Sequence, residues 1–208
     1  MIGIFGGTFD PVHFGHLRPA LEVQQALGLN EVRFVPAGQP PHRDTPHATI
    51  PQRLSMLQAA IDDQPGFVVD EREIRREGPS YMVDTLASLR EEVGQVPMCL
   101  ILGYDAFLGL PGWHQWSRLT ELAHLVITHR PGWNHDDLDE ALQNLVQQHE
   151  MGLEHLPQHA AGGLVFVAVT QLDISATILR EQIRAGQDIR YLLPDPVYQM
   201  IKMQKLYR

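Results

Sequence analysis

Two histidines, His13 and His16, stand three residues apart in the stretch GGTFDPVHFGH, which runs from Gly6 to His16. A neutral imidazole donates one hydrogen bond and a protonated one adds a positive charge, so this pair could hold a polyphosphate on which charge develops. The paired glycines Gly6 and Gly7 allow backbone N–H groups to approach a ligand closely. A helix that begins near Gly15 would direct its positive end to the same place. The stretch therefore predicts a phosphate-binding site.

Two other interpretations of this stretch are open. The residues could form only a tight turn before a helix that starts with a histidine, but a turn explains neither the glycine pair nor both imidazoles. Alternatively, His13 and His16 could bind zinc together with Asp10. The HExxH motif is absent, and Pro11 interrupts the helical face that would unite the three side chains, which disfavours a metal site.

A second set of phosphate-binding residue types lies at Ser175, Thr177 and Arg180. Hydroxyl groups at the start of a helix, with a guanidinium one turn later, form an anion clamp. Ser175 is also a good helix N-cap, and the two roles are compatible. These residue types therefore predict a second anion-binding helix start.

The basic residues are distributed unevenly. Lys202 and Lys205 are the only lysines among the 16 Lys and Arg residues, and both lie close to the C-terminal end. A P-loop requires a lysine in its glycine-rich turn and a Schiff-base enzyme requires one in its pocket, so both classes are excluded. Any bound phosphate must be held by arginine, histidine and backbone N–H groups.

Composition narrows the class of protein further. The net charge of −9 disfavours a general nucleic-acid binder, which usually presents a basic face. No apolar run approaches the roughly 20 residues of a membrane helix. Cys99 is the only cysteine and the first residues lack the basic region of a secretory signal, so we expect a cytoplasmic protein without nucleic-acid or membrane partners.

Strands alternate with helices along the chain. Apolar or alternating segments predict strands at residues 1–5, 31–36, 67–69, 98–102, 125–128 and 164–169. Helical spacing predicts helices at residues 18–27, 52–61, 81–92, 119–122, 137–148, 176–185 and 196–205. This order predicts an α/β fold, namely a Rossmann-like open parallel sheet with helices on both faces. We expect a single domain over residues 1–208, with a surface insertion at about 132–163 where Gln, His and Asp accumulate.

In such a sheet, ligands bind beyond the carboxyl ends of the strands. The segments after Gly6, Pro36, Gly103 and His129 leave predicted strands at these ends, so we expect them to form one site. Asp105 follows one of these strands and could accept hydrogen bonds from ribose hydroxyls, with a helix N-cap as the alternative role.

The stretch GGTFDPVHFGH together with ISATILR, residues 174–180, resembles the HxGH nucleotidyltransferase superfamily. Within it, PPHR at 40–43, GYD at 103–105 and THRPG at 128–132 make the chain similar to the bacterial nicotinate-nucleotide adenylyltransferases. The resemblance implies transfer of the adenylyl group of ATP to nicotinate mononucleotide, giving nicotinate adenine dinucleotide (deamido-NAD) and pyrophosphate in NAD biosynthesis. It also implies direct in-line attack of the 5′-phosphate on the α-phosphorus, so no protein nucleophile is required.

The resemblance also implies roles for particular residues. As catalytic residues it indicates His13, His16 and Arg180. As ATP-binding residues it indicates Gly6, Gly7, Thr8, Phe9, Gly15, Gly103, Asp105, Arg130, Ser175 and Thr177. As mononucleotide-binding residues it indicates His42, Arg43, Ser80, Tyr81, Met82, Trp113 and His114. For Arg43 and Arg130 the alternative is an ordinary solvated arginine, and for Trp113 it is a core residue.

The chain departs from the family pattern at a few of these places. Ala37 and Gly38 stand where relatives commonly have asparagine, and His114 stands where relatives often have tyrosine. Met82 is a similar departure beside Ser80 and Tyr81, which match. These differences leave open which groups contact the mononucleotide.

The implied partners are ATP and nicotinate mononucleotide, bound by a monomer or a small homo-oligomer. We expect Mg²⁺ to arrive with ATP and to be held by phosphate oxygens and water, with no ligand from the protein, because no carboxylate cluster surrounds the motifs. Two rival hypotheses are an enzyme that prefers nicotinamide mononucleotide and a nucleotide-sensing or RNA-binding module without turnover.

Overall fold

Six strands form one parallel sheet within residues 1–40, 45–130 and 138–208, the parts of the chain that this computed structural model describes. The strands are β1 (Ile2–Gly7), β2 (Glu31–Pro36), β3 (Phe67–Val69), β4 (Met98–Gly103), β5 (His124–His129) and β6 (Leu164–Ala168). Their order is β3-β2-β1-β4-β5-β6, so β1 lies at the centre between β2 and β4. The predicted Rossmann-like parallel sheet is confirmed, with the point where the strand order reverses at β1.

Helices connect successive strands, and further helices follow the last strand. They are α1 (Phe14–Leu27), α2 (Ile50–Ile61), α3 (Arg72–Arg75), α4 (Met82–Val93), α5 (Tyr104–Leu108), α6 (Leu119–Leu122), α7 (Glu140–His149), α8 (Ala176–Arg184) and α9 (Asp195–Gln204). Short 3₁₀ helices cover Leu110–Gly112, Trp116–Arg118 and Leu153–Gln158. Helices α3, of four residues, and α5, of five, were not predicted. Among the described residues, no helix is both long and apolar enough to cross a bilayer.

Several element boundaries differ from the sequence predictions. β1 continues through Gly6 and Gly7, which we expected in a loop, because their backbones pair with Val35 and Pro36 of β2. α2 begins at Ile50, two residues before the predicted start. Its first turn accommodates a proline, and the backbone N–H of the N-cap residue donates to the side chain of the third helical residue at 3.0 Å.

The two faces of the sheet bury separate apolar clusters. Alternate residues of a strand point to opposite faces, so Phe34 enters one cluster and the adjacent Val35 enters the other. The first cluster packs under α1, α2, α8 and α9, and the second under α4, α6 and α7. Cys99 belongs to the first cluster, and burial raises the pKa of its thiol to about 12. The prediction that Cys99 is a core residue is confirmed.

The connection between β5 and β6 includes α7, whose Leu142 and Leu145 join the second cluster. Leu156, in the following 3₁₀ helix, joins the first. Residues 131–137 lie outside the described residues. The surface insertion expected at about 132–163 stays a prediction, as does the single-domain boundary.

Candidate active site

The candidate site begins where β1 ends and α1 starts. Gly7 closes the strand, Thr8 follows it, and His13 takes the N-cap position of α1 with an extended backbone. Between them Phe9 adopts the left-handed conformation (φ 51°) although it is not glycine, and its side chain is buried. Non-glycine residues rarely adopt this conformation unless their surroundings impose it. The backbone of this turn is therefore held by contacts from elsewhere in the fold.

The two histidines face each other at the start of α1. Their ring centroids lie 3.8 Å apart, and the backbone N–H of His13 donates to Nδ1 of His16 at 3.3 Å. That bond requires a bare Nδ1, so the ring proton of His16 lies on Nε2. His13 is 4% exposed, and burial lowers the pKa of its imidazole to about 4. His13 is therefore a neutral donor at pH 7 in the free protein.

The start of α8 lies against the start of α1. The backbone carbonyl of Ile174 would be 2.8 Å from a Cβ placed on Gly15, so only a residue without a side chain allows this approach. Ser175 caps α8, because its Oγ accepts from the backbone N–H of Ile178 at 3.2 Å. The structure thus brings together the two helix N-termini that the sequence indicated separately, and each directs positive charge to one place.

Arg180 connects these two segments directly. Its Nη1 donates to the backbone carbonyl of Asp10 at 2.7 Å, and its Nη2 donates to Oγ1 of Thr177 at 3.2 Å. Nε of Arg180 and Nδ1 of His13 are buried and have no hydrogen-bond partner among the described residues. Buried donors and acceptors are normally satisfied, so these atoms point to a polar ligand or to water at this position.

Asp10 is a structural residue here. Its carboxylate accepts from the backbone N–H groups of His47 at 2.7 Å and Ala48 at 3.1 Å and from the hydroxyl of Tyr207 at 2.8 Å. Both oxygens are thus engaged by the protein, and no set of three metal-ligating side chains occurs among the described residues. In the described structure Asp10 therefore serves as an acceptor for three groups of the protein.

Sequence reasoning missed Arg53 and Tyr207. Arg53 on α2 is 1% exposed and donates from Nη1 to the backbone carbonyl of Thr8 at 2.8 Å. Burial lowers the pKa of its guanidinium, while the negative charge of Asp10 opposes that effect. One signal was available, because Arg53 lies on the apolar stripe of α2 with Met56 and Leu57. A charged residue on a buried stripe indicates a specific polar partner.

A second group of predicted site residues lies on the opposite side of β1 from the starts of α1 and α8. Oγ of Ser80 accepts from the backbone N–H groups of Gly38 at 2.9 Å and Gln39 at 3.1 Å, so it holds the segment that leaves β2. Tyr81 stacks on His114 with ring centroids 4.3 Å apart. These contacts bring residues from the loop after β2, the start of α4 and the loop after α5 to one place.

Four further candidates have different outcomes. Met82 reaches β1, since its Cε would be 2.5 Å from a Cβ on Gly6. Trp113 is half-buried and packs against the second apolar cluster, so its core alternative holds in part. His42 and Arg43 lie outside the described residues, and their roles stay predictions.

The ends of β4 and β5 carry the remaining candidates. Gly103 is the N-cap of α5 and nothing lies within 4 Å of a Cβ placed on it, so its surroundings are open. Asp105 is exposed within the first turn of α5, and the alternative that it caps this helix is wrong. Arg130 is exposed and its Nε donates to the side chain of Gln171 at 3.0 Å, which joins the ends of β5 and β6.

Comparison with known proteins gives consistent matches over the whole chain. The cytidylyltransferase-like family model matches residues 4–182. A protein of Methylococcus capsulatus named as a probable nicotinate-nucleotide adenylyltransferase is 50% identical over 209 residues, covering 100% of this chain and 99% of its own. One of Halorhodospira halophila with the same name is 52% identical over 204 residues, covering 96% of this chain and 92% of its own.

A solved structure has the same fold. The nicotinic acid mononucleotide adenylyltransferase of Plasmodium falciparum, complexed with NaAD, superposes with a TM-score of 0.74 over 99% of this chain and 96% of that one. The sequence identity is 16%, so this similarity concerns the fold alone.

Proposed function

The chain belongs to the nicotinate-nucleotide adenylyltransferases of the cytidylyltransferase-like family, and from this membership we propose that it transfers the adenylyl group of ATP to nicotinate mononucleotide. The products are nicotinate adenine dinucleotide and pyrophosphate, a step of NAD biosynthesis. The observation that carries the proposal is the pairing of His13 and His16, with rings 3.8 Å apart, at a helix start that abuts a second helix start carrying Arg180.

We propose direct in-line transfer between the two substrates. An oxygen of the 5′-phosphate of the mononucleotide attacks the α-phosphorus of ATP, and a new P–O bond forms. The bond from that phosphorus to the oxygen bridging to the β-phosphate breaks, and pyrophosphate leaves with the electron pair. No protein nucleophile takes part, so catalysis consists of positioning the reactants and stabilising charge on the phosphate oxygens.

The described residues support separate roles for individual side chains in this transfer. We assign charge stabilisation at the reacting phosphates to His13, His16 and Arg180. In this proposal His16 donates to the phosphate from Nε2, since its Nδ1 accepts from the backbone N–H of His13. His13 acts as a neutral donor, because burial lowers its pKa to about 4. The motifs contain no lysine ammonium group. Neutral hydrogen-bond donors and helix N-termini can bind the phosphate anion instead.

The two substrates occupy opposite sides of β1 in this proposal. ATP lies between the starts of α1 and α8 and the ends of β4 and β5, in contact with Gly6, Gly7, Thr8, Phe9, Gly15, Gly103, Asp105, Arg130, Ser175 and Thr177. The mononucleotide lies beside Ser80, Tyr81, Met82, Trp113 and His114, with His42 and Arg43 as further predicted contacts. Tyr81 and His114, already stacked, form an aromatic surface for the pyridine ring.

Mg²⁺ enters this proposal as part of the Mg–ATP substrate. We propose that phosphate oxygens and water hold the ion. Bound in this way, the ion neutralises charge on the phosphates. We further propose a cytoplasmic enzyme that works as a monomer or a small homo-oligomer, since ATP is its co-substrate and Cys99 is a buried thiol.

The test measures pyrophosphate release and dinucleotide formation from Mg–ATP with nicotinate mononucleotide or nicotinamide mononucleotide. We expect product with the nicotinate substrate at the higher kcat/KM. His16→Ala should lower kcat by about 10²-fold or more while ATP still binds. His155→Ala is the matched control, because the His155 side chain is 54% exposed and lies outside the site.

Each alternative has its own signature in this assay. Equal kcat/KM for the two mononucleotides refutes the nicotinate preference. ATP binding without pyrophosphate release from either mononucleotide refutes the transferase and favours a nucleotide-sensing module. Unchanged kcat in His16→Ala refutes the catalytic role of that imidazole.

A further inference from the structure

Tyr207, the last residue but one, is joined to the glycine-rich stretch at the other end of the chain. Its hydroxyl donates to Oδ1 of Asp10 at 2.8 Å, across a sequence separation of 197 residues. Tyr207 is 8% exposed and Asp10 is 3% exposed, so the bond lies in the protein interior. A hydrogen bond from a hydroxyl to a buried carboxylate is among the stronger ones in proteins.

Asp10 also forms hydrogen bonds with other parts of the proposed site. Its backbone carbonyl accepts from Nη1 of Arg180 at 2.7 Å. Its carboxylate also accepts from the backbone N–H groups of His47 and Ala48, which precede α2. One residue therefore joins the C-terminal segment, α8 and the approach to α2, and all of these bonds converge on the turn that precedes His13.

The same turn is held two residues before Asp10 by Arg53, which donates to the backbone carbonyl of Thr8 at 2.8 Å. Phe9, in its left-handed conformation, lies between the two anchored positions. A backbone in this region persists only where its surroundings determine it, so loss of one anchor lets the turn relax toward ordinary angles. Such a relaxation would displace the Thr8 and Phe9 amides and the start of α1.

The C-terminal segment is itself placed by packing. Gln52 on α2 donates to the side chain of Gln204 on α9 at 3.0 Å, and the backbone N–H of Leu206 donates to the carbonyl of Ile201 at 3.1 Å. These contacts fix the end of α9 against α2 and the residue before Tyr207 against α9.

We propose that Tyr207 is a positioning residue for adenylyl transfer, acting through Asp10 to hold the Thr8–Asp10 turn in the geometry that the reacting phosphates require. This inference rests on the proposed function. Displacements of about 1 Å in reacting groups lower rates by up to about 10²-fold, so a remote hydroxyl can matter for turnover.

The test compares Tyr207→Phe, which removes only the hydroxyl, with Tyr198→Phe as the matched control. Tyr198 is also buried on α9, but its hydroxyl accepts from Arg190 and does not contact the turn. Tyr207→Phe should lower kcat by about tenfold or more, with KM for ATP within about threefold of wild type. Tyr198→Phe should keep wild-type kcat. A purely structural role would lower the melting temperature and leave kcat of the folded enzyme unchanged.

Asp10→Asn provides a second variant that keeps the tyrosine intact, in case Tyr207→Phe does not fold. It should also lower kcat, and the double variant should lose less than the product of the two single losses, because both act through one bond. If the wild type is active and kcat of Tyr207→Phe or of Asp10→Asn lies within about twofold of the wild-type value, this inference alone is overturned. A wild type that releases no pyrophosphate overturns the proposed function and this inference with it.

Discussion

Replacing His13 by glutamine should flatten the dependence of stability on pH between about 4 and 6.5. In the folded protein, burial lowers the pKa of His13 from its ordinary value of 6.5 to about 4. Between these values the unfolded chain binds a proton at His13 that the folded protein does not bind. The free energy of unfolding therefore increases with pH across this window.

The size of the effect follows from the same pKa values. The fall from 6.5 to about 4 corresponds to about 3 kcal/mol of stability, which is present in full above pH 6.5 and lost as the pH falls to about 4. His13 is 4% exposed, so solvent screening does not reduce this figure substantially. Other groups also titrate, but they contribute equally to wild type and variant.

The assay is urea unfolding followed by tryptophan fluorescence at pH 4, 5, 6 and 7, extrapolated to zero denaturant. The difference in unfolding free energy between wild type and His13→Gln should change by about 3 kcal/mol over this range. His155→Gln is the control, since it removes a histidine whose side chain is 54% exposed. A difference for His13→Gln that stays constant within about 0.5 kcal/mol would refute the reasoning.

Two further predictions concern single hydroxyl groups. Ser80→Ala removes the acceptor for the N–H groups of Gly38 and Gln39, so KM for the mononucleotide should rise about tenfold in steady-state kinetics. An equal rise in KM for ATP would contradict the proposed division of the site. Ser175→Ala removes the cap of α8 and should lower the free energy of unfolding by about 1 kcal/mol in urea. Ser55→Ala, at an exposed position of α2, should leave stability nearly unchanged, and an equal loss in both variants would show that the cap is not responsible.

Some strand bounds and helix caps could be predicted because their signals are local. β2 and β3 have the predicted bounds, and α1 ends at Gly28 in the left-handed conformation. Ser175 was indicated as a cap by residue type alone, and it caps α8. These features depend on side chains within one helical turn or one strand.

Other boundaries could not be predicted, because pairing decides them. Gly6 and Gly7 belong to β1 only because β2 continues beside them as far as Pro36. Glycine has no intrinsic preference for a strand, so nothing in the local sequence indicates this extension. Asp105, likewise, is no cap, because Gly103 takes the N-cap position of α5.

The amino-acid sequence alone determined the parallel α/β architecture, the glycine-histidine stretch and the absence of a motif lysine, since each depends on residue type and near neighbours. Only the tertiary structure decided that Asp10 is bound by Tyr207 and that Arg53 holds Thr8. Buried hydrogen bonds between distant segments leave no periodic signal, because each partner satisfies a geometry that exists only after the sheet has formed. For the same reason, the neutral state of His13 follows from burial that the chain acquires on folding.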